Sequence, residues 1–140
     1  MGIKLIKIHE FRGSYDFLSN FYDSTITYEG LTYKNAEAAF QAQKDKARSS
    51  EFTTLPPNLA KRLGRNVRLR KDWDKVKDQI MFDIVKAKFE QNSELMEKLI
   101  LTGDSYLEEG NTWNDRYWGV CNGVGKNKLG EILMQVRKRL

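Results

Sequence analysis

The sequence NTWNDRYWGVCNGVGKNKLG, residues 111–130, holds the most informative pattern of the chain. It combines two tryptophans, an Asn-Asp pair and an arginine with four glycines in twenty residues. Glycine lets a backbone turn sharply and approach a ligand closely, and Asn127 is a candidate cap for a final amphipathic helix. Free N–H groups at such a helix start form an anion site. The segment is therefore either an ordinary loop with a capped helix or part of a binding site.

The elements around this segment predict a mainly helical α+β domain with a small hairpin. The final helix repeats apolar residues at helical spacing from Leu129, and Gly130 inside it costs about 1 kcal/mol relative to alanine. Short strands are predicted over residues 3–8 and 105–109, and a hairpin around Glu29-Gly30. Four earlier helices are predicted. The first covers residues 36–48 and is capped by Asn35, and the second, NLAKRL, is started by Pro56-Pro57 and ended by Gly64. The third is capped by Asp72 and reaches about Gln91, and the fourth is capped by Ser93 and closed by Gly103.

Composition predicts one soluble domain over residues 1–140, without repeats or linkers. The chain is 40% hydrophobic and 31% charged, and no stretch approaches the roughly 20 apolar residues that span a bilayer. The single cysteine, Cys121, excludes an intrachain disulfide and favours the reducing cytoplasm. With one histidine, His9, beside that one cysteine, a metal site of the usual nitrogen and sulfur ligands is not expected, and no cofactor motif is present.

The net charge of +5 raises the question of an anionic ligand. Six basic residues and no acidic one lie within the run from Lys61 to Lys71. These side chains are either a solvated surface or an attraction for phosphate-bearing ligands, small or polymeric. The segment around Gly125 matches neither the Walker phosphate loop nor the GxGxxG dinucleotide fingerprint, so neither an NTPase nor a Rossmann dehydrogenase is supported.

Two carboxylates and two tryptophans are the candidates for chemistry. Glu37 lies in the first turn of its helix among alanines, either as a helix-dipole carboxylate or as a poorly solvated acid suited to proton transfer. Gln41 and Lys44 share its stripe of the helix. Asp115 is either an Asx-turn residue or a catalytic acid. Trp73 fits a core position on a helix face, whereas Trp118 in a glycine-rich loop is harder to explain as core, and aromatic rings are also platforms for stacked bases.

These residues together resemble the NADAR (NAD- and ADP-ribose-associated), or YbiA-like, family. The matching segments occur in order along nearly the whole chain, which makes the resemblance far more specific than any single motif. They are Phe17–Phe21, Glu37 with Phe40–Lys44, Gly64-Arg65, Leu69–Trp73, Ala87–Phe89, Asn114-Asp115 with Tyr117–Gly119, and Gly125–Gly130.

The resemblance implies an N-glycosidase that cleaves the bond between a ribose and a base nitrogen. One branch of the family hydrolyses early phosphorylated riboflavin-pathway intermediates and releases ribose 5-phosphate; another removes ADP-ribose from guanine in nucleic acid. The implied partners are thus a phosphorylated ribosyl or ADP-ribosyl small molecule, or ADP-ribosylated nucleic acid, without a metal, cofactor or membrane. The implied catalytic positions are Glu37, Trp73, Asp115 and Trp118, and we assign substrate binding to Ser19, Asn20, Phe21, Arg70, Gly125, Lys126 and Asn127.

Cleavage of an N-riboside creates positive charge on the sugar and negative charge on the departing base. We therefore expect Asp115 to stabilise the cation or orient water, and Glu37 to supply the proton. The chain departs from the family at Ala38 and in the turn Val120–Gly123, which bear on the base that is accepted. A non-catalytic reader of ADP-ribose or nucleotides is the alternative from another class, but it would gain nothing from two carboxylates beside an anion.

Overall fold

The computed structural model describes residues 6–140 and divides them into two units. One unit contains the residues up to Ser19 together with Glu94–Leu140, and the other contains Asn20–Ser93. The helices and strands belong to an α+β fold, as the sequence predicts. In chain order they are β1 (Lys7–Ile8), β2 (Asp23–Tyr28), β3 (Leu31–Asn35), α1 (Ala36–Ala42), α2 (Pro57–Gly64), α3 (Trp73–Gln91), α4 (Ser93–Leu101), β4 (Tyr106–Leu107), β5 (Gly110–Asn111), β6 (Val120–Cys121) and α5 (Lys128–Lys138).

The unit Asn20–Ser93 is built from a hairpin and three helices. Strands β2 and β3 pair antiparallel, and the turn between them has left-handed backbone at Glu29 (φ 49°) and Gly30 (φ 85°), as a tight two-residue hairpin requires. Helix α1 packs against α2, α3 and both strands. Its buried side comes from Ala36, Ala38, Ala39, Phe40 and Ala42, and small residues let neighbouring backbones come close.

Helix α1 ends at Ala42 rather than at the predicted residue 48, because the chain after it has other backbone partners. The carbonyl of Lys44 accepts the N–H of Arg70 at 3.0 Å, and the Asp45 Oδ2 accepts the N–H of Arg68 at 3.2 Å. A 3₁₀ helix over Lys46–Phe52 follows. The segment before α3 is thereby joined to the end of α1, which places Lys44 beside Trp73.

The other unit contains two short parallel strand pairs, β1 with β4 and β5 with β6. Residues 3–5 of the predicted first strand lie outside the described residues, and the strand itself covers Lys7–Ile8. The predicted strand in residues 105–109 is confirmed over Tyr106–Leu107, whereas β5 and β6 have no counterpart among the sequence predictions. Helix α5 buries Leu129, Ile132, Leu133 and Val136, and among residues 6–140 no helix is long and apolar enough to cross a membrane.

Asp72 and Asn127 occupy the predicted cap positions of their helices, but neither side chain makes a capping bond. The side chain of Asp72 makes no capping bond to α3 and instead pairs with Arg70. Asn127 precedes α5 with left-handed backbone (φ 53°) and no capping bond. Its side chain points to β4 instead: Nδ2 donates to the Leu107 carbonyl and Oδ1 accepts from the Glu109 N–H, both at 2.9 Å. By contrast, the Asn35 cap of α1 is confirmed, since its Oδ1 accepts the Ala38 N–H at 2.7 Å.

Gly130 is explained by the close approach of α5 to β4. A Cβ at this position would overlap the backbone carbonyl oxygen of Leu107 and both terminal atoms of the Asn127 side chain. A backbone carbonyl cannot move aside as the end of a flexible side chain can. The helix therefore contains glycine here despite its low helix propensity.

We expect Gly130→Ala to lower the free energy of unfolding by about 1–3 kcal/mol, because the overlap with Leu107 outweighs the better helix propensity of alanine. Urea denaturation followed by circular dichroism measures this change. Gln135→Ala, at an exposed position of the same helix, is the control and should change stability by less than about 0.5 kcal/mol. A Gly130→Ala variant more stable than the wild type would contradict this account of the α5–β4 contact.

Candidate active site

The backbone around Glu37 is fixed from two sides. The residue lies half-buried in the first turn of α1, where the Asn35 side chain accepts the Ala38 N–H and donates to the Leu55 carbonyl at 3.1 Å. The N–H of Glu37 itself donates to the carbonyl of Asn20 at 3.0 Å. The N–H groups of Glu37 and Ala38, at the start of the helix, therefore have hydrogen-bond partners. The Glu37 side chain thus extends from a well-fixed backbone.

Gln41 holds the Glu37 carboxylate from one turn further along α1. Its Nε2 donates to Oε2 of Glu37 at 2.6 Å, and the side chain is only 6% exposed. The backbone of Gly64 in α2 lies so close to the Gln41 amide that a Cβ at residue 64 would overlap Oε1. Oε1 is buried and has no hydrogen-bond partner among the described residues. The sequence shows Gln41 on the Glu37 stripe, but spacing alone gave it no role.

Lys44 is the third residue of that stripe, and its ammonium group responds to the charges around it. Burial lowers the pKa of Lys44 below its ordinary value. The Glu37 carboxylate opposes this shift, whereas the positive charges of Arg65 and Lys61 add to it. The Lys44 Nζ also lies 5.9 Å from the centroid of the Trp73 ring. One carboxylate and three cations thus act on one another at this end of α1.

Trp73 is a core residue of the Asn20–Ser93 unit, as its place on a helix face indicated. It is 8% exposed, and its ring centroid lies 5.1 Å from that of Phe40 with the planes tilted by 53°. The Lys44 ammonium lies near the same ring. Trp73 therefore packs on Phe40 of α1 and lies close to Lys44, which follows that helix.

The three residues that the sequence assigned to substrate binding near Asn20 differ in character. Ser19 ends a 3₁₀ helix, with its N–H donated to the Asp16 carbonyl. Asn20 is buried, and its amide donates to the Met81 sulfur at 3.4 Å while its carbonyl accepts from Glu37. Phe21 is 43% exposed, with the Lys61 Nζ 6.0 Å from its ring centroid. Asn20 thus orders the start of α1, and Phe21 offers an accessible apolar surface beside a cation.

Arg70 is already engaged by a carboxylate. Its Nε and Nη2 donate to the two oxygens of Asp72 at 2.6 and 3.0 Å, the paired geometry that guanidinium and carboxylate groups favour. The bond to Asp72 raises the pKa of Arg70 and lowers that of Asp72. A substrate role for Arg70 would therefore compete with this ion pair.

Asp115 lies in a loop that Asn111 and its own carboxylate hold in place. The buried Asn111 side chain accepts the Asp115 N–H at 3.0 Å and donates to the Asp115 carbonyl at 2.9 Å. Asp115 Oδ1 in turn accepts the N–H groups of Tyr117 and Trp118 at 3.1 and 2.9 Å. This is the Asx-turn arrangement. Sequence reasoning missed Asn111, although an Asn four residues before Asp115 was visible.

Trp118 is oriented by the same turn. Its N–H is bonded to Asp115, and its carbonyl accepts the Leu129 N–H at 2.9 Å. The ring packs edge to face on Tyr117, with centroids 4.8 Å apart and planes at 88°. The Lys126 ammonium lies 5.3 Å from the Tyr117 ring centroid. Trp118 as a whole is half-buried.

The predicted phosphate site at the start of α5 is wrong as far as its backbone donors are concerned. The N–H groups of residues 126–129 donate to the carbonyls of residues 116, 119, 117 and 118, respectively, at 2.9 to 3.3 Å. Gly125, with φ 155°, has its Cα against the backbone of Gly119 and Val120, and the Asn127 side chain is bound to β4. These groups have internal partners, which leaves the exposed Lys126 ammonium as the remaining candidate.

Comparison with known proteins defines the class. The chain is 41% identical to the N-glycosidase YbiA of Shigella flexneri over 97% of this chain and 88% of that protein. It is 37% identical to an N-glycosidase of Nostoc punctiforme over 90% and 86% of the two chains. The NMR structure of Escherichia coli YbiA matches with a TM-score of 0.85 and 38% identity, covering 98% of this chain and 86% of that one. The protein is a glycosyl hydrolase of the N-glycosidase class.

The family follows from the domain match. The NADAR domain matches residues 8–140, and the chain belongs to this family. A riboflavin biosynthesis protein of Vibrio vulnificus is also related, with 38% identity over 91% of this chain and 36% of that protein. Among residues 6–140, no group of three or more His, Cys, Asp or Glu side chains is arranged to hold a metal ion.

We expect Glu37→Gln to lower the pKa of Lys44 further, because the substitution removes the one negative charge that raises it. The ¹³Cε chemical shift of Lys44, followed against pH by NMR, reports this value. Glu51→Gln is the control, since Glu51 pairs with Arg48 at 2.8 Å and is not among the charges that act on Lys44. An unchanged Lys44 pKa in Glu37→Gln would mean that the two side chains are not coupled.

Proposed function

We propose that the protein hydrolyses the N-glycosidic bond of phosphorylated ribosylaminopyrimidines of the riboflavin pathway and releases ribose 5-phosphate. The observation that carries this proposal is the Glu37 carboxylate, which is held by Gln41 and acts on Lys44 together with the charges of Lys61 and Arg65. A carboxylate suits a substrate that develops positive charge on its sugar, and cations in the same unit suit a substrate that also carries a phosphate. The name of the related Vibrio vulnificus riboflavin biosynthesis protein supports the pathway.

In the proposed reaction, Glu37 protonates the leaving nitrogen, and Asp115 stabilises the sugar cation or orients the attacking water. Gln41 fixes one Glu37 oxygen, Oε2, and the same carboxyl can carry a proton on Oε1. Two backbone N–H groups fix Asp115 Oδ1, which sets the direction of Oδ2. Neither group needs to reorganise much when charge develops, and such preorganisation is the main source of electrostatic catalysis.

The tryptophans have separate proposed roles. Trp118, a half-buried residue whose backbone is fixed by Asp115, provides an apolar surface for the sugar or base. Trp73 is buried behind Lys44 and supports the position of that side chain. Trp73 thus acts as a positioning residue, and its substitution should change KM and kcat through Lys44.

We expect the wild-type protein to release ribose 5-phosphate from the ribosylaminopyrimidine phosphate, and Glu37→Gln and Asp115→Asn each to lose about 100-fold or more in kcat. Both substitutions keep the size of the side chain, and asparagine keeps the Oδ1 acceptor of the turn. A coupled assay for reducing sugar measures the rates. Glu97→Gln, at an exposed position of α4, is the control.

The pH dependence of kcat/KM separates the two roles, because the acid must be protonated and the other carboxylate ionised. If Glu37 is the acid, the residual activity of Glu37→Gln loses the decline at high pH that the wild type shows. Asp115→Asn should instead lose the decline at low pH. The opposite pattern would exchange the roles, and wild-type rates in either variant would remove that residue from the chemistry.

The second candidate function is removal of ADP-ribose from guanine in DNA or RNA. The observation that favours it is the exposure of Arg62, Arg65, Arg68 and Lys71, since a polyanion would be attracted by several exposed cations in one segment. Incubation with an ADP-ribosylated oligonucleotide, followed by detection of restored guanine, distinguishes the two. Cleavage of the oligonucleotide alone would contradict the first proposal, and cleavage of neither would contradict both.

Two further parts of the proposal concern organisation and location. The NADAR match over residues 8–140 supports one functional domain, although the chain divides into two units. The single cysteine, buried and free at Cys121, fits a reducing compartment. We therefore propose that one domain over residues 1–140 acts in the cytoplasm on a small molecule.

A further inference from the structure

Three cations of the Asn20–Ser93 unit lie on or next to the helices α1 and α2, which pack against each other. Lys44 follows α1, Lys61 lies in α2, and Arg65 follows the end of α2 with its N–H bonded to the Arg62 carbonyl at 3.1 Å. Helices α1 and α2 are in close contact because Gly64 admits the Gln41 side chain. The same contact that fixes Gln41 against Glu37 therefore joins the helix that leads to Lys44 with the helix that carries Lys61 and leads to Arg65.

Lys44 and Arg65 differ from other cations of this unit, which are engaged in ion pairs. Ion pairs engage Lys46, Arg48 and Arg70 elsewhere in this unit. Among residues 6–140, neither Lys44 nor Arg65 lies within 4 Å of a carboxylate oxygen. Positive charges held close together repel, and a bound anion relieves that repulsion.

The surface beside the cations has the features of a ligand site. Phe21 is exposed next to the Lys61 ammonium, although a large aromatic side chain is usually buried. Lys44 is partly withdrawn from water, so its contact with an anion is less screened than a surface contact. The alternative anion site at the start of α5 has its N–H groups already bonded to residues 116–119.

We propose that Lys44, Lys61 and Arg65 bind the phosphate group on O5′ of the substrate ribose, with Phe21 as an apolar wall of this subsite. The proposal rests on the proposed function, because that function supplies a phosphorylated ribose. It places the phosphate on the same side of the sugar as Glu37 and assigns recognition to charge-assisted hydrogen bonds from ammonium and guanidinium groups.

Direct binding of ribose 5-phosphate and of ribose, measured by isothermal titration calorimetry, tests the subsite without turnover. Lys61→Gln and Arg65→Gln should each weaken ribose 5-phosphate binding about tenfold, the loss expected for one hydrogen bond to a charged group, and leave ribose binding unchanged. Arg62→Gln is the matched control, since it removes the same charge from the same helix at an exposed position. It should bind ribose 5-phosphate like the wild type.

A second readout distinguishes phosphate contact from a general change in structure. Addition of ribose 5-phosphate should raise the pKa of Lys44, seen in its ¹³Cε shift, because the bound anion opposes the effect of its cationic neighbours. ADP-ribose provides the comparison for the source of the phosphate. If Lys61→Gln and Arg65→Gln lose more affinity for ribose 5-phosphate than for ADP-ribose, the ligand of the subsite is a phosphate monoester.

The failure of this subsite is distinguishable from the failure of the proposed function. Wild-type affinity for ribose 5-phosphate in Lys61→Gln and Arg65→Gln, with loss in Lys126→Gln, would overturn the subsite even if the enzyme hydrolyses the ribosylaminopyrimidine. An equal loss of affinity in Lys61→Gln, Arg65→Gln and the Arg62→Gln control would also overturn it, since only net charge would then matter. Selective loss without hydrolysis would support the subsite and contradict the proposed substrate.

Discussion

The hydrogen bond from Gln41 to Glu37 is the interaction on which the Asn20–Ser93 unit depends for its chemistry. It joins two residues one helical turn apart at 2.6 Å, and it holds the carboxylate in one direction. The amide that makes it is buried against Gly64, so the orientation of Glu37 is linked to the packing of α2 on α1. A buried polar group destabilises the fold unless it is hydrogen-bonded. The buried Gln41 side chain uses its Nε2 donor to bond the Glu37 carboxylate.

The segment 111–130 follows a different constraint, because its own backbone satisfies its polar groups. Asn111 brackets Asp115, Asp115 accepts from Tyr117 and Trp118, and the first N–H groups of α5 donate back to residues 116–119. The glycines permit these close approaches rather than contact with a ligand. The segment therefore holds Asp115 and Trp118 in fixed positions. Its glycines and its helix start, which resemble a phosphate loop, serve these internal hydrogen bonds.

Local signals in the sequence predicted the elements that depend on local physics. The hairpin at Glu29-Gly30, the Asn35 cap and the apolar stripe of α5 each follow from neighbouring residues, and the structure confirms them. The end of α1 and the capping roles of Asp72 and Asn127 were wrong, because the partners that decide them, Arg70 and β4, are distant in sequence or compete locally. The sequence shows that Glu37, Gln41 and Lys44 share one stripe of helix. It does not show that the helix with Lys61 packs against α1, because that contact is made by tertiary packing.

The central claim is that the Glu37 side of α1 holds a phosphorylated ribose. A crystal structure of the Glu37→Gln variant with a ribosylaminopyrimidine phosphate tests it most directly, because the variant should bind the substrate without cleaving it. We predict phosphate oxygens at about 3 Å from Lys61 and Arg65, with the C1–N bond of the sugar facing residue 37. A phosphate bound at Lys126, or a sugar turned away from residue 37, would contradict the account.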